Sequence, residues 1–235
     1  MKAYRGTALQ FFTGLMLLCS GAAWADKVQP IRLVTLVSPD LPSYRQFSEL
    51  VDIAFKKLKT PYTLTYNPAE RAATSFKSGR FDGDVARAAS FNKTYPEAIR
   101  VDPPLITADY IAVSKSDAIA PGSWDELAKY RIAYRRGFKS IETYTANVPQ
   151  RVLTDSNESC VRMVKEDVVD VCVGVAAGFK NIIPLDKQFK VTHVGQSNVY
   201  IWLGPQHKEL AEKLAGVLAD MQKRGDLERI FRDFN

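Results

Sequence analysis

The sequence predicts an α/β protein built from two similar units, and three observations carry that expectation. Strand-type and helix-type segments alternate in the order β-α-β-α-β, which requires parallel strands covered by helices. The same order returns after Trp124. Finally, Lys77-Ser78-Gly79-Arg80-Phe81-Asp82 is matched 88 residues later by Lys165-Glu166-Asp167-Val168-Val169-Asp170, with the same run of helix end, turn and strand start. Two units of this size fit a two-lobed body and also one larger doubly wound sheet.

The first unit opens with Ile31 to Val37, a β-rich run stopped by Ser38-Pro39-Asp40. Phe47, Leu50, Val51, Ala54, Phe55 and Leu58 then share one helical face. Thr63 to Tyr66 forms the second strand, and Pro68 stands near the start of a helix that ends at Gly79. Phe81 to Ala86 begins the third strand. In the second unit Arg131 to Arg135 is a strand, and Gly137 starts a turn into a helix that runs to about Ala146. Gln150 to Leu153, Asn157 to Glu166 and Asp170 to Val175 follow as strand, helix and strand. Two further β-rich runs, Asp109 to Ser114 and Asn198 to Leu203, lead out of the two units. Leu210, Leu214, Val217, Leu218 and Met221 form a helical stripe, whose ordinary meaning is core packing. A second short helix, Asp226 to Phe234, follows Gly225.

The N-terminus has the order of a secretory leader: Lys2 and Arg5, an apolar run around Phe11 to Leu18, then Ala23-Trp24-Ala25 before Asp26. That run is too short for a bilayer span, which needs roughly 20 apolar residues. Leu18 stands before Cys19 where a lipidation site needs a small residue. Cleavage after Ala25 leaves 210 residues and lowers the formal charge from +6 to +4. The remaining cations are interleaved with acids, so nucleic-acid binding is not expected, only a mild pull on anionic solutes. Cys160 and Cys172 remain, and an even count in an exported chain favours a disulfide over two buried thiols. No cofactor motif and no metal-ligand spacing accompanies them.

Glu70 to Leu105, ERAATSFKSGRFDGDVARAASFNKTYPEAIRVDPPL, reads as a helix, a glycine turn, a strand opening at Phe81-Asp82-Gly83 and a long loop closing on Pro103-Pro104. It resembles the first-lobe segment of the extracellular solute-binding proteins of family 3, the polar-amino-acid type of periplasmic receptor. The resemblance implies the type II periplasmic-binding-protein fold: two α/β lobes, each a mostly parallel sheet flanked by helices, joined by two crossover strands. Residues 26–113 and 196–235 would form a discontinuous first lobe, 114–195 the second, and 1–25 the leader. It further implies a monomer in the periplasm that captures a small polar or anionic solute and delivers it to the permease of an ABC importer. A ligand sensor for a membrane signalling partner is the alternative, with a dehydratase-type enzyme on the same fold behind it.

Ligands of open α/β sheets sit beyond the carboxyl ends of the strands, near helix N-termini. Two such places are Ser38 to Tyr44 and Arg136 to Ser140. By resemblance Gly137 admits close backbone approach and Ser140 supplies a hydroxyl to a solute carboxylate. Arg135 and Arg136 alternate along an extended chain, so one of them faces the cleft, and Arg135 is favoured. In the first lobe the candidates are Tyr44, Arg71 and Arg87, since arginine can hold a carboxylate through two hydrogen bonds. Tyr44, Tyr110 and Trp202 are candidates for an apolar wall. Two departures from the family pattern stand out: Thr94 occupies the usual position of a ligand arginine, and Val173-Gly174-Val175-Ala176 holds no acid to pair with an amino group. No enzyme is expected, because His193 and His207 lack metal spacing and no GxSxG turn surrounds a serine.

Overall fold

The computed structural model describes residues 29–183 and 188–234, so the leader expected at residues 1–25 lies outside the described residues. Three parallel strands open the chain: β1 (Ile31–Thr35), β2 (Tyr62–Tyr66) and β3 (Gly83–Ala88). Helix α1 (Pro42–Leu58) links the first two and α2 (Ala69–Lys77) the second and third. Pro42 suits the first turn of α1, where its fixed φ fits and no N–H is required. The predicted stripe is the buried one, with Phe47, Leu50, Val51, Ala54 and Phe55 facing the sheet.

The unit repeats as β5 (Ile132–Arg135), α3 (Lys139–Tyr144), β6 (Arg151–Thr154), α4 (Asn157–Lys165) and β7 (Val171–Val175). Two long antiparallel strands, β4 (Ile99–Ser114) and β8 (Lys190–Leu203), pair with each other along their length. Through β8 they join β3 and through β4 they join β7, giving the order β2-β1-β3-β8-β4-β7-β5-β6. Helices α5 (Lys208–Lys223) and α6 (Asp226–Ile230) return to α1, where Leu214, Leu218, Met221, Leu227 and Phe231 complete its core. A separate core behind β5 and β7 includes the Cys160–Cys172 disulfide, which ties α4 to β7.

The repeat seen in the sequence has a structural basis at its two aspartates. Asp82 accepts from the Arg32 backbone N–H at 2.8 Å and from its guanidinium at 2.8 and 2.9 Å. Asp170 holds the Arg131 backbone at 2.8 Å and its guanidinium at 2.7 Å in the same manner. Each carboxylate thereby clamps the starts of two neighbouring parallel strands. Burial alone would raise the Asp82 carboxyl, but the Arg32 and His207 hydrogen bonds outweigh it and hold it down at about 2.

Several boundaries differ from the sequence reading. The long loop expected to close on Pro103-Pro104 is instead part of β4, which starts at Ile99. Proline has no ladder N–H. Pairing with β8 accordingly breaks between Val101 and Ile106 and then resumes. β8 likewise starts at Lys190 rather than Asn198, because it pairs with β4 through the second half before reaching β3. The final helix stops at Ile230, and Phe231 and Phe234 cap the core of α1 from the turn beyond it. No helix among the described residues is long and apolar enough to cross a membrane.

Candidate functional site

The parallel strands of both halves end on a shared cavity of about 100 Å³. Leu36 and Val37 follow β1, Ala86 to Ala88 end β3, Arg135 ends β5 and Val175 ends β7. Ala108, Tyr110 and Val199 of the crossover strands form its floor, and Phe47, Phe91, Phe138 and Phe234 add aromatic walls. This is the position that strand order predicts for a ligand. The lining is mostly apolar, and among the described residues no carboxylate lines it.

Local geometry aims Arg87 into this space. Ala86 adopts φ 73°, and the ladder to β8 slips between Val85 and Arg87, which marks a bulge. A bulge turns the following side chain away from the direction a regular strand would give it. Arg87 is 3% exposed and stacks near the Phe91 ring, with Trp202 behind it donating to its carbonyl. Its Nε donates to Asp84 at 2.8 Å, one Nη to the Ala69 carbonyl at 3.1 Å, and the other Nη to the Gly137 carbonyl at 3.5 Å. Burial pushes the Asp84 carboxyl up to about 6 despite the opposing pull of Arg87.

On the opposite wall Tyr110 donates to the Ser140 hydroxyl at 2.8 Å, and burial raises its phenol to about 12. Lys139 bridges Glu70 and Glu142 at 2.9 Å each. Burial lowers the Lys139 pKa, but the two carboxylates outweigh it and the net shift is upward. Arg135 stacks over Phe138 and, among the described residues, has no carboxylate partner. Arg136 points the other way, toward Asp155 on the outer face, as strand alternation requires.

Of the sequence candidates, Arg87, Tyr110, Arg135 and Ser140 line the cavity together. The structure corrects the placement of three others. Tyr44 packs on the core of α1, because it follows one residue after Ser43, which takes the cavity-facing position on the first turn. Arg71 is exposed on the outer side of α2, beside Pro68, Thr74 and Arg80, because α2 turns its alanines inward. Trp202 is buried behind Arg87 and Phe91 rather than over the cavity. Gly137 is a contact point between the halves: its φ is 83°, and a Cβ there would overlap the Glu70 backbone nitrogen and the Ala69 carbonyl carbon. Sequence reasoning missed Lys139 and Asn157. Asn157, at the start of α4 beyond β6, obeys the same strand-end rule that singled out Ser140, and Lys139 lies within the Arg136 to Ser140 stretch which that rule marked; what the sequence does not show is its partner Glu70, distant in the chain.

No family model matches the chain. It is similar to an uncharacterized protein of Shewanella oneidensis, 25% identical over 181 residues that span 72% of this chain and 68% of that protein. Among solved structures, a histidine kinase sensor domain with similarity to periplasmic binding proteins aligns with TM-score 0.71 and 16% identity, covering 89% of this chain and 97% of that one. The substrate binding protein of an amino acid ABC transporter aligns with TM-score 0.69 and 14% identity, covering 88% and 99%. An arginine transport system periplasmic binding protein from Legionella pneumophila aligns with TM-score 0.66 and 12% identity, covering 88% and 99%. The chain has the type II periplasmic-binding-protein fold. In this binding-protein fold the two halves meet around the cavity, held by Lys139 to Glu70, Arg87 to the Gly137 carbonyl, and Lys180 to the Asp233 carbonyl at 2.7 Å.

Proposed function

We propose that the protein is a periplasmic solute-binding protein that closes two lobes on a small anionic solute and passes it to the permease of an ABC importer. The lobes are residues 26–113 with 196–235, and residues 114–195, and residues 1–25 direct export. The observation that carries this reading is the cavity between the halves, apolar in body and presenting Arg135 without a carboxylate partner among the described residues. Arg87, Tyr110, Gly137 and Ser140 are its organising residues, with Arg135 as the ligand contact. Supporting a binding role over an enzyme, the solved neighbours are binding and sensor proteins. The two histidines lie against Asp109 and Asp82, away from the cavity lining.

Small-angle scattering tests the reading. A bound solute that favours the closed state compacts the molecule and raises its melting temperature. Amino acids, monocarboxylates, dicarboxylates and peptides that all leave both readouts unchanged would defeat it. A sensor role is the second reading, favoured by the likeness to a histidine kinase sensor domain. Crosslinking in intact cells separates the two, since it recovers a permease in one case and a membrane kinase in the other.

A further inference from the structure

Charge accounting around the cavity identifies the ligand class, and this step rests on the receptor reading above. Among the described residues, three cationic side chains reach the lining: Arg87, Lys139 and Arg135. Arg87 is neutralised by Asp84 at 2.8 Å, and each of its two Nη nitrogens donates to a backbone carbonyl. Lys139 is held by Glu70 and Glu142 at 2.9 Å. Among the described residues Arg135 is the one lining cation with no carboxylate partner, and its guanidinium lies beside the Phe138 ring. The second acid on Lys139 adds a surplus negative charge, but Glu70 and Glu142 are 47% and 29% exposed, so solvent screens it. Leu36, Phe47, Phe91, Val175 and Phe234 supply most of the remaining wall, and the polar groups beside them, Ser43, Tyr110, Ser140 and Asn157, carry no charge.

We infer that the cavity selects a small monocarboxylate with a hydrocarbon body and no ammonium group. Among the described residues one lining cation lacks a carboxylate partner, and it matches one negative charge on the ligand. A second carboxylate on the ligand would be buried without a counter-charge, which is strongly unfavourable. The ammonium of an α-amino acid meets the same objection, because no carboxylate lines the cavity among the described residues and the nearby Asp84, Glu70 and Glu142 each already pair with Arg87 or Lys139. Volume sets the upper bound. The cavity of about 100 Å³ is well below the roughly 300–1,000 Å³ of pockets for drug-sized ligands, so a short chain or a single ring is the appropriate body.

Matched probes test this by calorimetry on the purified protein. Hexanoate and 3-phenylpropanoate are compared with norleucine and phenylalanine, which add only the ammonium, with hexanedioate, which replaces the terminal methyl by a second carboxylate, and with hexanamide, which removes the charge. At least one monocarboxylate binds, roughly tenfold or more tighter than its amino counterpart, and hexanoate binds tighter than both the dianion and the amide. Arg135→Gln removes the preference for hexanoate over hexanamide while leaving the ligand-free melting temperature unchanged. Tighter binding of norleucine or phenylalanine overturns the inference and leaves the receptor reading standing. Binding of none of the six probes also overturns it, and the wider scattering screen then decides the receptor reading separately.

Discussion

At Arg87 every donor nitrogen of the guanidinium is already engaged, within a site only 3% exposed. From sequence this arginine is equally a carboxylate fork and half of an ion pair with Asp84, three residues away, and only the packing around it separates the two. Arg135 was legible because strand alternation assigns it and Arg136 to opposite faces. Arg87→Ala leaves Asp84 buried without its counter-ion and should destabilise the fold by about 3–5 kcal/mol at pH 7.5, read from the urea midpoint. The pH dependence has a definite sign. Asp84 titrates near 6 in the folded protein, above the 3.8 of an ordinary aspartate, so its contribution is complete below about pH 4 and is lost as pH rises through 6. In the variant that carboxyl moves higher still, so the cost of Arg87→Ala grows above pH 6 and becomes smaller and flat below it. A cost independent of pH from 5 to 8 would remove the ion-pair account.

Secondary structure was the most legible level, because apolar periodicity and Gly or Pro punctuation are local properties. What escaped was whatever depends on a partner strand. Pro103 and Pro104 look like a loop until β8 is present to continue the ladder on either side of them. Ala86 looks like an ordinary strand residue, yet its φ of 73° is imposed by the bulge that aims Arg87. A left-handed conformation costs a non-glycine residue about 1–2 kcal/mol, and the extra backbone entropy of glycine offsets part of the relief. Ala86→Gly should therefore stabilise the protein by about 0.5–1 kcal/mol in chemical denaturation, and a loss of stability would show that the alanine methyl matters more in the cavity wall. The Cys160–Cys172 link closes a short loop between α4 and β7 within a buried core. In the chain-entropy picture such a loop stabilises by about 3 kcal/mol. Cys160→Ala/Cys172→Ala should lower the denaturation midpoint accordingly, with the far-ultraviolet spectrum retained. Two titratable thiols in the unreduced, denatured wild type would show that the link does not form.

At the scale of the molecule, the repeat of strand, helix and strand foretold two α/β units, while the way they close on each other is written in no single segment. Closure here rests on a few contacts that bring distant parts of the chain together: Gly137 against the backbone of Ala69 and Glu70, and Lys139 bridging to Glu70. Neither Glu70 nor Gly137 lines the cavity, so neither substitution removes a lining side chain. Ligand affinity in a clamshell scales with the fraction of molecules already able to close. Glu70→Gln removes one half-exposed ion pair, worth about 0.5–1 kcal/mol, and should weaken binding roughly two- to fivefold. Added salt should weaken wild-type binding and narrow that gap, because screening acts on the pair the variant lacks. Gly137→Ala is the more severe change. Its methyl would collide with the Glu70 backbone, which cannot rotate aside as a side chain could, and φ 83° is itself unfavourable for alanine. The variant should stay open in scattering even at ligand concentrations that compact the wild type, with the second half still folded by far-ultraviolet dichroism. Compaction of Gly137→Ala to the wild-type radius on ligand addition would mean that the lobes close by another route, and that the Gly137–Glu70 contact does not govern closure.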